Sequence, residues 1–60
     1  MEYTLVKKDN EAKTIKIIQG TDKTDKTKPT FTMGFSEVDW QKTEQELINL
    51  TIEAWEKSEE

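Results

Sequence analysis

The apolar residues of this chain fall into three short segments with strand-like patterning and one long segment with helical spacing. The first two segments, residues 2–8 and 12–19, are rich in β-branched and aromatic side chains that partly alternate with polar ones. The third, residues 30–35, reads TFTMGF and alternates strictly, so its bulky side chains share one face. These patterns predict three strands.

A turn cluster at residues 9–11 joins the first two strands into a predicted hairpin. A three-residue loop at this point pairs Leu5 with Ile15. The same register pairs Tyr3 with Ile17, so that all four apolar side chains lie on one face of the sheet. A shift of one residue would split this set, which a half-buried sheet does not tolerate.

Two parts of the strand region are expected to face solvent. The first is the opposite face of the hairpin, which is mostly polar. We interpret its two apolar exceptions, Val6 and Ile18, as scattered surface residues, with a subunit contact as the alternative. The second is residues 20–29, which begin with Gly, end with Pro and repeat Thr-Asp-Lys without an apolar side chain. This composition predicts an exposed, flexible loop.

The C-terminal part of the chain has strong helix formers and no Gly or Pro, which predicts one helix near residues 37–57. Ser36 is its expected N-cap, and the acids that follow suit the positive end of the helix dipole. Residues 58–60 are expected to form a frayed tail. At 100° per residue, one sector of about 100° contains the side chains expected to pack on the sheet: Trp40, Leu47, Thr51, Ala54 and Trp55.

These elements predict an α+β fold in the order β-β-β-α. A three-stranded antiparallel sheet, made of a β-hairpin plus a third strand, packs on one C-terminal helix. The 60 residues form a single small domain. Because a chain of this size has a small core and open sheet edges, and has no Cys for disulfides, we expect it to pair into a homodimer.

The composition argues against catalysis and metal binding. The chain has neither Cys nor His, so the commonest nucleophiles, bases and metal ligands are missing. Ser36 is explained as a helix cap, and Asp22 and Asp25 lack the dense oxygen pattern of a calcium loop. There is no Gly-rich nucleotide motif. We therefore expect a protein that is not an enzyme and that uses no metal and no cofactor.

Charge is distributed unevenly along the chain, whose net charge is −4. Residues 1–36 hold seven Lys and five acids, whereas residues 37–60 hold two Lys and eight acids. The plain interpretation is solubility, and the alternative is an acidic face offered to a basic partner. Because Arg is absent and the net charge is negative, nucleic acid binding is disfavoured. Eight acids are also few beside the phosphate array that a DNA mimic must match.

No apolar run approaches the roughly 20 residues that a membrane span requires. No signal-peptide pattern opens the chain, so a cytoplasmic location without membrane contact is the simplest expectation.

By elimination, the sequence favours a non-catalytic interaction protein that binds a larger protein and modulates or inhibits it. Small acidic chains of this kind are common among accessory proteins of phages and mobile elements. The alternative is an oligomer that holds a small ligand between subunits with Lys side chains and a Trp, and the third class is nucleic acid binding or DNA mimicry. The predicted partner-binding residues are helix apolars, nearby acids and loop lysines: Ile48, Ile52, Glu44, Glu56, Lys23 and Lys26.

Overall fold

A computed structural model describes residues 2–59 of the chain. The strands form one antiparallel sheet in the order β1-β2-β3, and the C-terminal helix packs on one of its faces, which confirms the predicted α+β fold. Of the predicted tail, Ser58 belongs to the last helix, Glu59 is its C-cap and Glu60 lies outside the described residues. The five elements are β1 (Tyr3–Asp9), β2 (Thr14–Gln19), β3 (Thr30–Gly34), α1 (Glu37–Trp40) and α2 (Glu44–Ser58).

The β1–β2 hairpin is not in the predicted register. Leu5 lies opposite Ile17 rather than Ile15, a difference of two residues. A β-bulge between Leu5 and Lys7 then shifts the pairing by one more residue and places Lys8 opposite Ile15. Because side chains alternate with a period of two, the two-residue shift leaves Leu5 and Ile17 together on the face that packs against the helix.

The hairpin turn is longer than predicted and occupies residues 10–13. The Asp9 carboxylate accepts hydrogen bonds from the backbone N–H groups of Glu11 (3.0 Å) and Ala12 (3.1 Å). These bonds favour the charged carboxylate, the one from Ala12 most strongly, and they hold the pKa of Asp9 below its ordinary value. Lys13 closes the turn in the left-handed conformation, with φ at 54°.

The core lies between the sheet and α2, and its largest side chain is that of Trp55, which is only 5% exposed. The Trp55 ring stacks on Phe31 at a centroid distance of 5.6 Å and an interplanar angle of 12°. Tyr3 tilts against the same ring at 5.4 Å. The strict alternation predicted for β3 is confirmed, since Phe31 and Met33 are half-buried while the residues between them are exposed. The buried core cluster consists of Ile15, Ile17, Leu47 and Trp55.

The predicted apolar stripe of the helix is confirmed within α2. Leu47, Thr51 and Trp55 are its buried side chains. Thr51 is fully buried, and its hydroxyl donates a 2.8 Å hydrogen bond to the carbonyl oxygen of Leu47. The one buried polar side chain of this stripe therefore carries no unsatisfied donor, which would otherwise cost about 1–3 kcal/mol.

The helical region is interrupted, so the prediction of one continuous helix over residues 37–57 is wrong. α1 ends at Trp40, and α2 begins at Glu44. Thr43 is the N-cap of α2, since its side-chain oxygen accepts a 3.2 Å hydrogen bond from the N–H of Glu46. A Thr followed three residues later by Glu is the sequence signature of a helix start. A capping side chain competes with helix continuation. A segment without Gly or Pro can therefore still be divided into two helices.

The interruption gives Trp40 an environment of its own. Its ring tilts against Phe35 at a centroid distance of 6.0 Å, and the Lys8 ammonium lies 5.5 Å from the ring centroid. The predicted capping role of Ser36 is confirmed, because its side chain accepts a 3.2 Å hydrogen bond from the Asp39 N–H. α1 is thus a single capped turn that places Trp40 against residues at the end of the sheet.

Replacing the cap of α2 tests this description of the interruption. Thr43→Ala is expected to lower the free energy of unfolding by about 1 kcal/mol, because one N–H of the first turn loses its acceptor. Urea denaturation followed by circular dichroism measures the change. Ser36→Ala is the matched control and should cost less, since it caps a helix of only four residues. A Thr43→Ala variant as stable as the wild type would contradict the capping role.

Candidate interaction surfaces

Residues 20–29 form two consecutive turns with the same hydrogen bonds. The Asp22 carboxylate accepts from the backbone N–H (2.9 Å) and the hydroxyl (2.6 Å) of Thr24. Asp25 accepts in the same way, at the same two distances, from Thr27. The Thr hydroxyls are the main cause that holds the pKa of both aspartates below the ordinary value. The repeat in the sequence is therefore a repeated turn, while the predicted flexibility of the loop stays a prediction.

Both ends of this loop are tied to the sheet. Gly20 donates its N–H to the Glu2 carbonyl (2.8 Å) and accepts a 2.6 Å hydrogen bond from the Thr4 hydroxyl. At the other end, the Gln19 N–H donates to the Pro29 carbonyl at 3.3 Å. Gly20 has φ at +100°, a conformation that side-chain-bearing residues rarely adopt, so the sequence places Gly where the chain leaves β2. The loop is thus held at fixed points beside the sheet.

A cleft lies between this loop and the face of the sheet that α2 does not cover. Its volume is about 520 Å³. The strands provide its floor with Val6, Lys16, Ile18 and Thr30. The loop provides its rim with Lys23, Thr24, Asp25, Lys26 and Lys28. We call these nine residues the lysine cleft.

Ile18 is buried on the face of the sheet that α2 does not cover. It is only 2% exposed, yet it does not belong to the core cluster under α2. Because side chains alternate along a strand, Ile18 points to the opposite face from its buried neighbour Ile17. Val6 on the same cleft floor is half-buried. The interpretation of Ile18 as a scattered surface residue is therefore wrong, and the loop over residues 20–29 lines the same cleft as this buried side chain.

Opposite charges are separated across the sheet. Four lysines and one aspartate line the lysine cleft, in a chain whose net charge is −4. On the other side of the sheet, the outward face of α2 exposes Glu46, Glu53 and Glu56. Long lysine stems cover apolar surface while their ammonium groups stay in water. The lysine cleft therefore combines a small apolar floor with a positively charged rim.

The six residues predicted to bind a partner do not form one surface. Lys23 and Lys26 line the lysine cleft, whereas the other four lie on α2, on the other side of the sheet. Of those four, Glu44 and Glu56 are exposed but stand twelve residues apart, which is about 18 Å along a helix. The remaining two are the helix isoleucines.

Ile48 and Ile52, which the sequence predicts to bind a partner as exposed apolar residues, are half-buried and pack against the core, so that exposure is wrong. At 100° per residue they stand about 20° and 60° from Trp55 around the helix, which keeps both near the buried side. In the described part of the chain, the one exposed large hydrophobic side chain is Val38 of α1, at 78%.

A second, smaller depression lies on the outward face of α2. Its volume is about 240 Å³, and its lining mixes both charges with one apolar side chain: Lys42, Glu46, Asn49, Leu50 and Glu53. This surface offers neither an apolar floor nor a charge of one sign, so it is the weaker candidate for binding.

Among residues 2–59 there is no group of three acidic side chains arranged to hold a metal ion. Within the same range, no helix combines the length and the apolar character needed to cross a membrane. Comparison of the chain with protein-family models, with curated proteins and with solved structures gives no match.

Proposed function

We propose that this chain is a non-catalytic interaction protein that binds a larger protein through the lysine cleft and modulates or inhibits it. The observation that carries the proposal is a cleft on the sheet face that α2 leaves uncovered, with half-buried Val6 in its floor and four lysines along its lining. In protein interfaces, a buried apolar centre supplies affinity, and charges around it guide association and orientation. The complementary partner segment presents acidic side chains around one or two apolar ones.

The distribution of aromatic residues supports a protein partner over a nucleic acid. All five aromatic side chains of the chain pack on the helix side of the sheet: Tyr3, Phe31, Phe35, Trp40 and Trp55. None of them lines the lysine cleft, so this surface has no ring on which a base could stack. Its cations are all lysines, which lack the planar fork with which Arg recognises phosphates and guanine.

The same distribution weakens the alternative of a small ligand held by lysines and a tryptophan between subunits. Trp40 contacts Phe35, and Trp55 contacts Phe31 and Tyr3, so both rings are engaged within the fold. The lysine cleft and the two tryptophans lie on opposite sides of the sheet. A ligand that needs both would have to bridge the two faces.

Removing two rim charges tests the proposed surface. The partner is first captured by cross-linking in cells that produce the chain, then purified and titrated by calorimetry. Lys23→Gln with Lys26→Gln is expected to weaken binding about ten-fold, which corresponds to about 1.4 kcal/mol, because two lysines of the cleft rim lose their charge. Both residues are exposed, so the fold should be unaffected.

The matched control is Lys42→Gln with Lys57→Gln, which removes the same charge from the helix side. This control should bind as the wild type does. Equal weakening by both pairs would mean that net charge alone matters, and loss only in the control would move the interface to α2. Saturation of the purified chain by a nucleotide or metabolite, with no protein captured, would overturn the proposal.

A further inference from the structure

We propose that two copies of this chain pair through the free edge of β3 and form one continuous six-stranded antiparallel sheet about a two-fold axis. The pairing edge shares only Lys28 and Thr30 with the lysine cleft, and the pairing does not depend on the proposed function. It rests on four properties of the β3 edge: its lack of protection, the direction of its backbone groups, the symmetry of its side chains and the charges at its two ends.

The two edges of the sheet differ in how they discourage pairing with another strand. β1 carries a β-bulge next to Lys7 and Lys8, and bulges and lysines are devices that block strand addition. β3 pairs with β2 in an unbroken register over residues 30–34. Residues 29–36 contain no charged side chain. The described chain therefore protects one sheet edge and leaves the other suited to pairing.

The backbone of β3 offers hydrogen-bonding groups in the right direction. Phe35 donates its N–H to the Lys13 carbonyl at 2.9 Å, so the odd-numbered residues of this segment bond to β2. In an antiparallel pair, alternate residues point their N–H and C=O groups to the other side. Thr30, Thr32 and Gly34 therefore direct theirs to the open edge. Such groups form a ready template for another strand.

The sequence of β3 suits pairing with itself. If Thr32 lies opposite its own copy, Thr30 lies opposite Gly34, and each pair exchanges hydrogen bonds from the outward-directed groups. The same register sets Phe31 beside the Met33 of the second copy on the helix side. Both side chains are half-buried in one chain, so pairing removes further apolar area from water. Thr32 facing Thr32 is also a favourable cross-strand pair.

Charge at the two ends of β3 favours the same arrangement. In this register Lys28 lies opposite Ser36 of the second copy, next to Glu37 and Asp39. Lys28, Glu37 and Asp39 are exposed, and Glu37 also lies 4.0 Å from the Lys13 ammonium of its own chain. The two-fold axis repeats this approach of opposite charges at both ends of the new strand pair. A strand added in parallel orientation would not bring these groups together.

Static light scattering over a range of concentrations tests the pairing. The wild type is expected to rise from the 7.0 kDa of one chain to twice that mass. Thr32→Pro removes the central outward N–H while leaving the bonds to β2, since Pro is tolerated at an edge position that faces solvent. This variant should keep its circular dichroism spectrum and show at least a ten-fold higher dissociation constant. Thr32→Val keeps the N–H and should pair as the wild type does.

Three results would overturn the inference. The first is a wild-type chain that stays at 7.0 kDa up to about 1 mM, a concentration at which only very weak association escapes detection. The second is a folded Thr32→Pro variant that pairs as well as the wild type, because the contact would then lie elsewhere. If Thr32→Pro does not fold, Thr32→Lys replaces it by setting two like charges face to face. The third overturning result is a Thr32→Lys variant that pairs as well as the wild type.

Discussion

Trp55→Ala is expected to remove most of the free energy of unfolding at 25 °C. Truncating a buried tryptophan costs about 3–5 kcal/mol, and domains of this size lie at the low end of the usual stability of about 5–15 kcal/mol. Trp55 is 5% exposed and is held between Phe31 and Tyr3, so its loss removes ring contacts from both outer strands as well as from α2. Far-UV circular dichroism and urea denaturation measure the effect.

Trp40→Ala is the matched control, because it removes the same side chain from a less buried place. Trp40 is half-buried and contacts Phe35 and Lys8 at the end of the sheet. Its truncation should leave a folded chain with a lower denaturation midpoint. Equal losses of stability in the two variants would mean that Trp55 contributes no more to the stability of the fold than Trp40 does.

Ile18→Ala is expected to lower the free energy of unfolding by about 2–4 kcal/mol, the cost of truncating a buried isoleucine. Truncating a residue on a solvated sheet face would lower the free energy of unfolding by no more than about 0.5 kcal/mol. The large value follows from the packing of the loop over Ile18, which is 2% exposed. Urea denaturation gives the stability, and hydrogen exchange at the amides of Thr24 and Thr27 shows whether the loop loosens as well.

Val6→Ala provides the comparison on the same cleft floor. Val6 is half-buried, so its truncation should cost less than that of Ile18. A loss for Ile18→Ala as small as for Val6→Ala would mean that the loop does not cover the sheet. In that case the lysine cleft would lack a rim, and the proposal that the chain binds its partner through this cleft would be contradicted.

The pattern of apolar residues predicts the faces of the elements well, because burial acts on every residue of a strand or helix. Phe31 and Met33 alternate with exposed residues in β3, and Leu47, Thr51 and Trp55 line the buried side of α2, as predicted. These assignments need only local spacing, which the sequence contains in full.

The register of the hairpin could not be predicted from the same pattern. Registers that differ by two residues place Leu5 and Ile17 on the same face, so hydrophobic grouping does not distinguish them. The bulge after Leu5 adds a further shift that has no clear sequence signal. The interruption of the helix did have a signal, since Thr43 and Glu46 match the pattern of a helix start.

The lysine cleft could be predicted only in part. Lys23 and Lys26 were identified from the loop, but Lys16, Lys28 and Ile18 join them only because the loop folds back over the sheet. That path depends on tertiary hydrogen bonds such as the one from Thr4 to Gly20, which local patterns do not encode. A loop with no apolar side chain gave no reason to expect a buried isoleucine beneath it.

The paired turns of the loop make its length adjustable in whole units. Each Asp-Lys-Thr triplet closes its turn through bonds that span no more than three residues, and each carries one lysine. Adding or deleting a triplet would change the reach of the rim by one complete turn and its charge by one lysine and one aspartate. The size of the lysine cleft is therefore set by how many such triplets stand between Gly20 and Pro29.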